Sequence, residues 1–139
     1  RSPLAEGILQ HKANEAELNV TVDSAGTIAL HEGELPDSRS ITTAHEHGID
    51  ITNQRSRPLK KEDFDTFDRI YVMDASNYTD VLGLAKDEDQ RAKVKMILNE
   101  SYPGENRRVP DPYYGGAKGF EYVLDLVEDA SNGLLKRLS

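Results

Sequence analysis

The sequence contains no cysteine. This absence excludes a disulfide framework, a thiolate metal site and, within residues 1–139, a cysteine nucleophile. Long apolar runs are also missing: no stretch approaches the roughly 18 residues that a membrane helix needs, and no basic-then-apolar leader is present. We therefore expect a cytoplasmic protein with no membrane partner.

Positive charge is scarce as well. The chain has 17 Lys and Arg against 25 Asp and Glu, a formal net charge of -8. Nonspecific affinity for nucleic acid comes from basic surface, so this balance excludes a nucleic-acid partner. Any site for an anion is expected to be small and local.

The length and the apolar content suit one domain over residues 1–139. Hydrophobic residues make up 37% of the 139 positions, which permits a modest core under a well-solvated surface. Disorder is disfavoured by the same composition. No internal repeat or low-complexity segment divides the chain.

Helical and strand-like patterns alternate along the chain. The patterns predict helices from residue 2 onward and at 39–47, 60–68, 76–84, 87–92 and 119–138, and strands at 18–23, 69–74 and 94–98. Ser2 is the expected N-cap of the first helix and Pro3 its first helical residue. Residues 101–116 hold prolines, glycines and tyrosines and are predicted to form a long surface loop.

This alternation predicts an α/β fold. We expect a three-layer, doubly wound sheet of about four parallel strands with helices on both faces, including a first strand that precedes residue 1. Ligands of such folds bind beyond the carboxyl ends of the strands. Residues that follow strands are therefore the first candidates for a site.

Local sequence alone indicates two candidate functional residues. Arg1 directly precedes a helix N-terminus, where a guanidinium could bind two oxygens of a phosphate, although a solvated charge is the simpler interpretation. Asp111 precedes a proline and is by itself most often a turn residue. The four histidines (His11, His31, His45 and His47) lack metal-site spacing with carboxylates, so no metal is predicted.

Six segments occur in an informative order. They are Arg1–Glu6, Asp23–Thr27, His47–Ile49, Arg57–Leu59, Phe67–Asp74 with Asn77, and Asp111–Gly115. Together they resemble the low-molecular-weight protein tyrosine phosphatases over nearly the whole chain. The most specific parts are Asp-Pro-Tyr-Tyr-Gly and Arg-Ser-Pro. The resemblance implies an enzyme that hydrolyses phosphotyrosine in proteins or small aryl phosphates, releases inorganic phosphate and needs no cofactor.

The resemblance also implies catalytic roles. In the family, Arg-Ser-Pro ends a phosphate loop of the form C-x5-R-S-P. Arg1 would then bind the phosphoryl oxygens and stabilise their charge in the transition state, and Ser2 would stabilise the thiolate nucleophile. Asp111 would protonate the leaving phenolate and later activate water. The thiolate, which the loop pattern separates from Arg1 by five residues, is expected upstream of residue 1.

Four residues are expected on the substrate cleft by the same resemblance. Tyr113 and Tyr114 correspond to a pair on its rim, where they flank an aromatic ligand and are candidate phosphorylation sites for a partner kinase; two ordinary surface tyrosines are the alternative. Leu30, followed by His31, stands where many members place an aromatic residue. An aliphatic wall stacks less well on a phenyl ring.

Four further residues match the family's scaffold, and we expect them to support the loop through hydrogen bonds and helix caps: Ser24, Arg57, Asp74 and Asn77. One position departs from the family pattern. Gln54 stands where many relatives have a histidine that helps to order the phosphate loop.

Other functions remain open at this point. Arsenate reductases share the scaffold but use additional cysteines downstream of the loop, and residues 1–139 contain none. If these residues were the whole protein, a module that binds phosphate or phosphotyrosine without cleaving it would fit better. A receiver-type signalling domain has a related topology but no use for the Asp-Pro-Tyr-Tyr segment.

Overall fold

The computed structural model describes residues 1–26, 33–111 and 116–138. Its helices, in chain order, are α1 (Ser2–Glu15), α2 (Ser38–Glu46), α3 (Asp63–Thr66), α4 (Ala75–Leu82), α5 (Glu88–Arg91) and α6 (Gly116–Leu138). Strand β1 (Ile70–Val72) precedes α4, strand β2 (Val94–Met96) follows α5, and a short 3₁₀ helix (Ile97–Glu100) comes directly after β2.

The two strands form a parallel pair. Ile70 lies opposite Val94, and Val72 lies opposite Met96. Helices α4 and α5 connect them, as a crossover between parallel strands requires. One isolated parallel bridge, between Gly26 and Pro58, lies outside the pair. The α/β class is confirmed, and the described part of the chain contains two of the roughly four expected strands.

Helices cover both faces of this sheet. Successive residues of a strand face opposite sides, and β1 follows that rule. Ile70 and Val72 pack in one cluster, which also contains buried residues of α3, α4 and β2: Phe64, Val81, Val94 and Met96. Tyr71, and Met73 just beyond the strand, pack in the other cluster, with α1, α2 and α6: Leu4, Ile8, Ala44, Val123, Leu124 and Val127. The three-layer prediction is confirmed.

Aspartate side chains cap the starts of three helices. The side chains of three aspartates accept a backbone hydrogen bond at a helix start: Asp37 before α2, Asp74 before α4 and Asp87 before α5. The predicted helices are confirmed, with ends shifted by a few residues. None of the described helices combines the length and apolarity that a membrane span requires.

The start of α1 differs from the prediction by one residue. Arg1, and not Ser2, holds the N-cap position. The Arg1 carbonyl accepts the Ala5 N–H at 3.1 Å, so the first turn closes one residue earlier than expected. Pro3 remains in the first turn, where its missing N–H leaves no bond unmade.

The predicted strand at residues 18–23 is wrong. The alternating segment is present but forms no strand. Its backbone is instead bound by a side chain of α1: Gln10 Nε2 donates to the Val20 carbonyl and Gln10 Oε1 accepts the Val22 N–H, both at 3.0 Å. The Gln10 amide thus satisfies backbone groups that a neighbouring strand would otherwise pair.

A close approach fixes where α6 crosses the 3₁₀ helix. A Cβ added at Gly133 would lie 2.5 Å from the Glu100 carbonyl oxygen. Glu100 is itself held by the Tyr71 hydroxyl, which donates to Glu100 Oε1 at 3.1 Å. Because the contact is with backbone and not with a flexible side chain, α6 must shift to admit a methyl group.

We expect Gly133→Ala to destabilise the protein by about 1 to 3 kcal/mol, because overpacking costs more than the improved helix propensity returns. Urea unfolding measures the difference. Asn132→Ala, at the exposed neighbouring position of α6, is the matched control and should be neutral or slightly stabilising. A stabilised Gly133→Ala protein would show that the contact is not tight.

Candidate active site

The carboxyl end of β1 leads straight into α4. Asp74 caps that helix, and its Oδ1 accepts the Asn77 N–H at 2.8 Å. The carbonyl of Met73 accepts the Val109 N–H at 2.7 Å, so the segment that leads to Asp111 is bound to the same edge. This is the end of a parallel sheet where ligands bind.

Arg1 joins these parts. Its Nη1 donates to Asp74 Oδ2 at 2.8 Å and to the Val109 carbonyl at 2.8 Å. The Arg1 and Asp74 side chains are 21% and 23% exposed, so the ion pair is largely withdrawn from water. The N-terminus of α1, the cap of α4 and the approach to Asp111 therefore meet at one guanidinium.

The edge of the Arg1 guanidinium formed by Nε and Nη2 is a candidate ligand-binding group. The two bonds use both hydrogens of Nη1, while Nε and Nη2 have no partner among the residues that the structure describes. These two nitrogens form the edge that binds two oxygens of a phosphate or carboxylate. Asp74 and Val109 thus orient Arg1 and leave this edge without a partner in the part of the chain that the structure describes.

The charge state of Asp74 suits this arrangement. Burial by itself would raise the pKa of the Asp74 carboxyl. Hydrogen bonds from the Asn77 N–H and from the Arg1 guanidinium outweigh that effect and hold the pKa below its usual value. Asp74 is therefore a carboxylate at neutral pH and keeps Arg1 in place.

The first turn of α1 adds to the positive field. It has no side-chain cap hydrogen bond, so the helix dipole and its N–H groups are available to an anion. Ser2 is half-buried in this turn. Gln54 binds the same turn, because its Nε2 donates to the Pro3 carbonyl at 3.0 Å.

Asp111 follows the segment whose backbone Arg1 binds. It is solvent-exposed and two residues beyond Val109, which is fully buried. A carboxylate therefore follows, two residues along the chain, the backbone carbonyl that the Arg1 guanidinium binds.

Ser24 belongs to a second group of contacts, which involves the residues that follow α1 up to Gly26. Ser24 Oγ donates to Glu6 Oε1 at 2.8 Å, and Glu6 lies on α1. Burial raises the pKa of the Glu6 carboxyl, while the hydrogen bond from Ser24 acts in the opposite direction. Ser24 therefore ties the loop to the helix that carries Arg1.

Arg57 forms the other half of this group. Its Nε donates to Asp23 Oδ2 at 3.0 Å and its Nη1 to Asp63 Oδ2 at 2.9 Å. Burial would raise the pKa of Asp63, but the hydrogen bonds from Arg57 and from the Lys60 N–H hold it below its usual value. Arg57 thereby links the loop to α3.

Backbone bonds around Arg57 fasten the residues on both sides of 27–32. The Gly26 N–H donates to the Arg57 carbonyl at 2.9 Å, and the Leu59 N–H donates to the Gly26 carbonyl at 2.8 Å. The Ser56 N–H donates to the Glu34 carbonyl at 2.8 Å. One short segment, 56–59, thus binds the described residues that come before and after 27–32.

Four predicted site residues lie outside the described residues: Leu30, His31, Tyr113 and Tyr114. Within the described ranges, no group of three or more histidines and carboxylates could hold a metal ion.

Two contributors to the site were not predicted from the sequence. The Val109 carbonyl binds Arg1, and Glu6 binds Ser24. Val109 carries no chemical group that a motif search would select, because it acts through its backbone. For Glu6, the only signal was a carboxylate on the helix that Arg1 begins.

We expect Asp74→Asn to lower the free energy of unfolding by about 1 to 2 kcal/mol at pH 7, since asparagine keeps the helix cap but loses the charge-assisted bond to Arg1. The folded pKa of Asp74 is depressed, so this stabilisation is present above the unfolded value of about 3.9 and is lost as the pH falls through the folded value. Urea unfolding at pH 7 and at about pH 3 measures the difference in free energy of unfolding between the unsubstituted protein and Asp74→Asn. This difference should be smaller at the lower pH.

Asp87→Asn is the matched control for that experiment, because Asp87 caps α5 in the same way and makes no ion pair with an arginine in the described ranges. The Asp74 effect should exceed the Asp87 effect at pH 7. If the unsubstituted protein and Asp74→Asn differed in free energy of unfolding by the same amount at both pH values, the charge of Asp74 would contribute nothing to stability.

Comparisons with known proteins identify a family for this chain. The family model for low molecular weight phosphotyrosine protein phosphatases matches residues 1–139. A phosphatase of that name from Schizosaccharomyces pombe is 37% identical, with the alignment covering 100% of this chain and 90% of the relative. A low molecular weight protein-tyrosine-phosphatase from Streptomyces coelicolor is also 37% identical, over 97% of this chain and 84% of its own length.

A solved structure shows the same fold. The crystal structure of a protein tyrosine phosphatase from Entamoeba histolytica, with Hepes in its active site, superposes with a TM-score of 0.91 at 36% identity. The superposition covers 99% of this chain and 88% of that one. The chain belongs to the low molecular weight phosphotyrosine protein phosphatase family.

Proposed function

We propose that the protein hydrolyses aryl phosphate monoesters, chiefly phosphotyrosine in proteins, with Arg1 as the phosphate-binding residue and Asp111 as the general acid. The observation that carries this proposal is the orientation of Arg1. Asp74 and Val109 occupy its Nη1 and leave the Nε and Nη2 edge without a partner in the described residues, beside the N-terminus of α1. That edge matches two oxygens of a phosphoryl group.

The reaction proceeds in two steps. A cysteine thiolate attacks phosphorus, the bond from phosphorus to the aryl oxygen breaks, and Asp111 gives its proton to the leaving phenolate. Asp111 then takes a proton from water, which attacks the phosphocysteine. The phosphorus–sulfur bond breaks, inorganic phosphate leaves and the thiolate is restored. Arg1 and α1 stabilise the charge on the phosphoryl oxygens in both steps, and Ser2 stabilises the thiolate.

We place the thiolate upstream of Arg1. Residues 1–139 contain no cysteine, yet the rest of the site is suited to phosphate. A second observation concerns Gln54, whose buried Oε1 has no hydrogen-bond donor among the described residues, although its Nε2 binds the first turn of α1. Buried acceptors are rarely left unpaired, and an N–H of a preceding phosphate loop would satisfy this one.

The aromatic part of the substrate is assigned to the two segments next to this site. Tyr113 and Tyr114 follow Asp111 within three residues and would flank the phenyl ring. Leu30 and His31 lie in the sequence between Gly26 and Glu34, which are both bound to 56–59, and would form the opposite wall. This assignment rests on the family resemblance and on the positions of these residues in the chain.

The same proposal extends to where the reaction takes place. A thiolate nucleophile needs a reducing compartment, which favours the cytoplasm. A phosphotyrosine substrate must first be made by phosphoryl transfer from ATP, so a tyrosine kinase is the enzyme that supplies it. Such a kinase could also act on Tyr113 or Tyr114.

We expect Asp111→Asn to lower kcat/KM for phenyl phosphate by about 100-fold or more, because the leaving phenolate loses its proton donor. Arg1→Ala should lower it by about 100-fold or more, because the transition-state charge loses its bidentate partner. Steady-state turnover by the full-length protein measures both. Asp125→Asn and Arg91→Ala, at exposed helix positions, are the controls.

Undiminished turnover in both variants would refute these roles. Phosphate affinity without any turnover by the unsubstituted protein would instead favour a module that binds phosphotyrosine.

We expect iodoacetate to inactivate the full-length protein, and added inorganic phosphate to slow the inactivation, because a thiolate beside a guanidinium is both reactive and shielded by the product. Peptide mass spectrometry should locate the label on one cysteine before Arg1. Turnover that persists in a protein with no labelled cysteine would contradict the proposed nucleophile.

A further inference from the structure

The segment that leads from the 3₁₀ helix to Asp111 is fixed by a pair of asparagines. Asn99 Nδ2 donates to Asn106 Oδ1 at 2.9 Å, and Asn99 Oδ1 accepts the Asn106 backbone N–H at 2.9 Å. We name this pair the amide clasp. It closes the turn between residues 99 and 106 with two hydrogen bonds, one donated and one accepted by the Asn99 side chain.

The backbone of Asn106 depends on that closure. Its φ is +52°, in the left-handed region that side chains other than glycine seldom adopt. Asparagine tolerates this region better than most residues, but the conformation still needs support from neighbours. The hydrogen bond from its N–H to Asn99 supplies such support.

The residue after the clasp is held as well. The Arg107 guanidinium lies over the Tyr102 ring, 3.9 Å from its centre, and pairs with Glu105 at 2.8 Å. The Tyr102 N–H donates to the Leu98 carbonyl at 2.8 Å, which ties the backbone of Tyr102 to the 3₁₀ helix. Residues 106 and 107 thus share one rigid support.

Val109 forms the second fixed point. It is fully buried, its N–H donates to Met73 and its carbonyl accepts from Arg1. A segment held at one point can still pivot about it. Two points fix a direction, and here the clasp and Val109 together set the direction in which the chain continues to Asp111.

We propose that Asn99 is a positioning residue for Asp111, acting through the amide clasp. The inference rests on the proposed function, in which Asp111 is the general acid. Asn99 makes no contact with the reacting atoms. Its effect is to hold the acid at a set distance from the phosphate that Arg1 binds, and proton transfer is sensitive to that distance.

The test compares two substrates that differ in their need for an acid. Phenyl phosphate releases a basic phenolate and needs a proton in the transition state, whereas p-nitrophenyl phosphate releases a far less basic one. Asn99→Ala in the full-length protein should lower kcat/KM about tenfold for phenyl phosphate and less than about twofold for p-nitrophenyl phosphate. A merely structural role would lower both equally.

Asn132→Ala, at an exposed position of α6, is the matched control and should leave both values unchanged. Asp111→Asn provides the reference and should show the largest difference between the substrates. Equal losses for the two substrates, or no loss, in Asn99→Ala would overturn the inference while leaving the function intact. An Asp111→Asn protein that treats both substrates alike would overturn the assignment of the acid, and the inference with it.

Discussion

The two hydrogen bonds that Arg1 Nη1 donates are the contacts on which the site depends. They connect the start of α1 with the cap of α4 and with the segment that precedes Asp111. Such charge-assisted bonds are worth about 1.5 to 3 kcal/mol each, and the loss of one partner leaves the other charge poorly solvated. A single side chain therefore couples the start of α1 to the segment that leads to Asp111.

The sheet explains why these parts meet. In a parallel sheet the carboxyl ends of the strands lie at one edge, and the residues beyond β1 provide both the Met73 carbonyl and the Asp74 carboxylate. The loop around Ser24 is fastened differently, by Arg57 and by backbone bonds to 56–59. The net charge of -8 does not oppose an anion site, because one guanidinium and one helix end set the local field.

Much of the fold could be predicted because its signals are local. The 3.6-residue repeat identified α1 and α6, and aspartate caps mark the starts of α2, α4 and α5. The prediction failed at 18–23, where apolar alternation indicated a strand. Alternation describes which side chains are buried but does not provide a partner for the backbone, and Gln10 of α1 took that place. A side-chain contact of that kind leaves no periodic signal.

The sequence by itself determined the order of the helices and of strands β1 and β2, the small local nature of any anion site and, through the ordered motifs, the family. It also identified Arg1 and Asp111 as candidates. Only the tertiary structure decided that Arg1 is oriented by Asp74 and by the Val109 carbonyl, and that Asn99 binds Asn106 ahead of Asp111. The physical reason is that the bonds from Arg1 join residues 73 and 108 positions apart, one of them through a backbone carbonyl that every residue carries. Such contacts depend on how the layers pack, which no local pattern encodes.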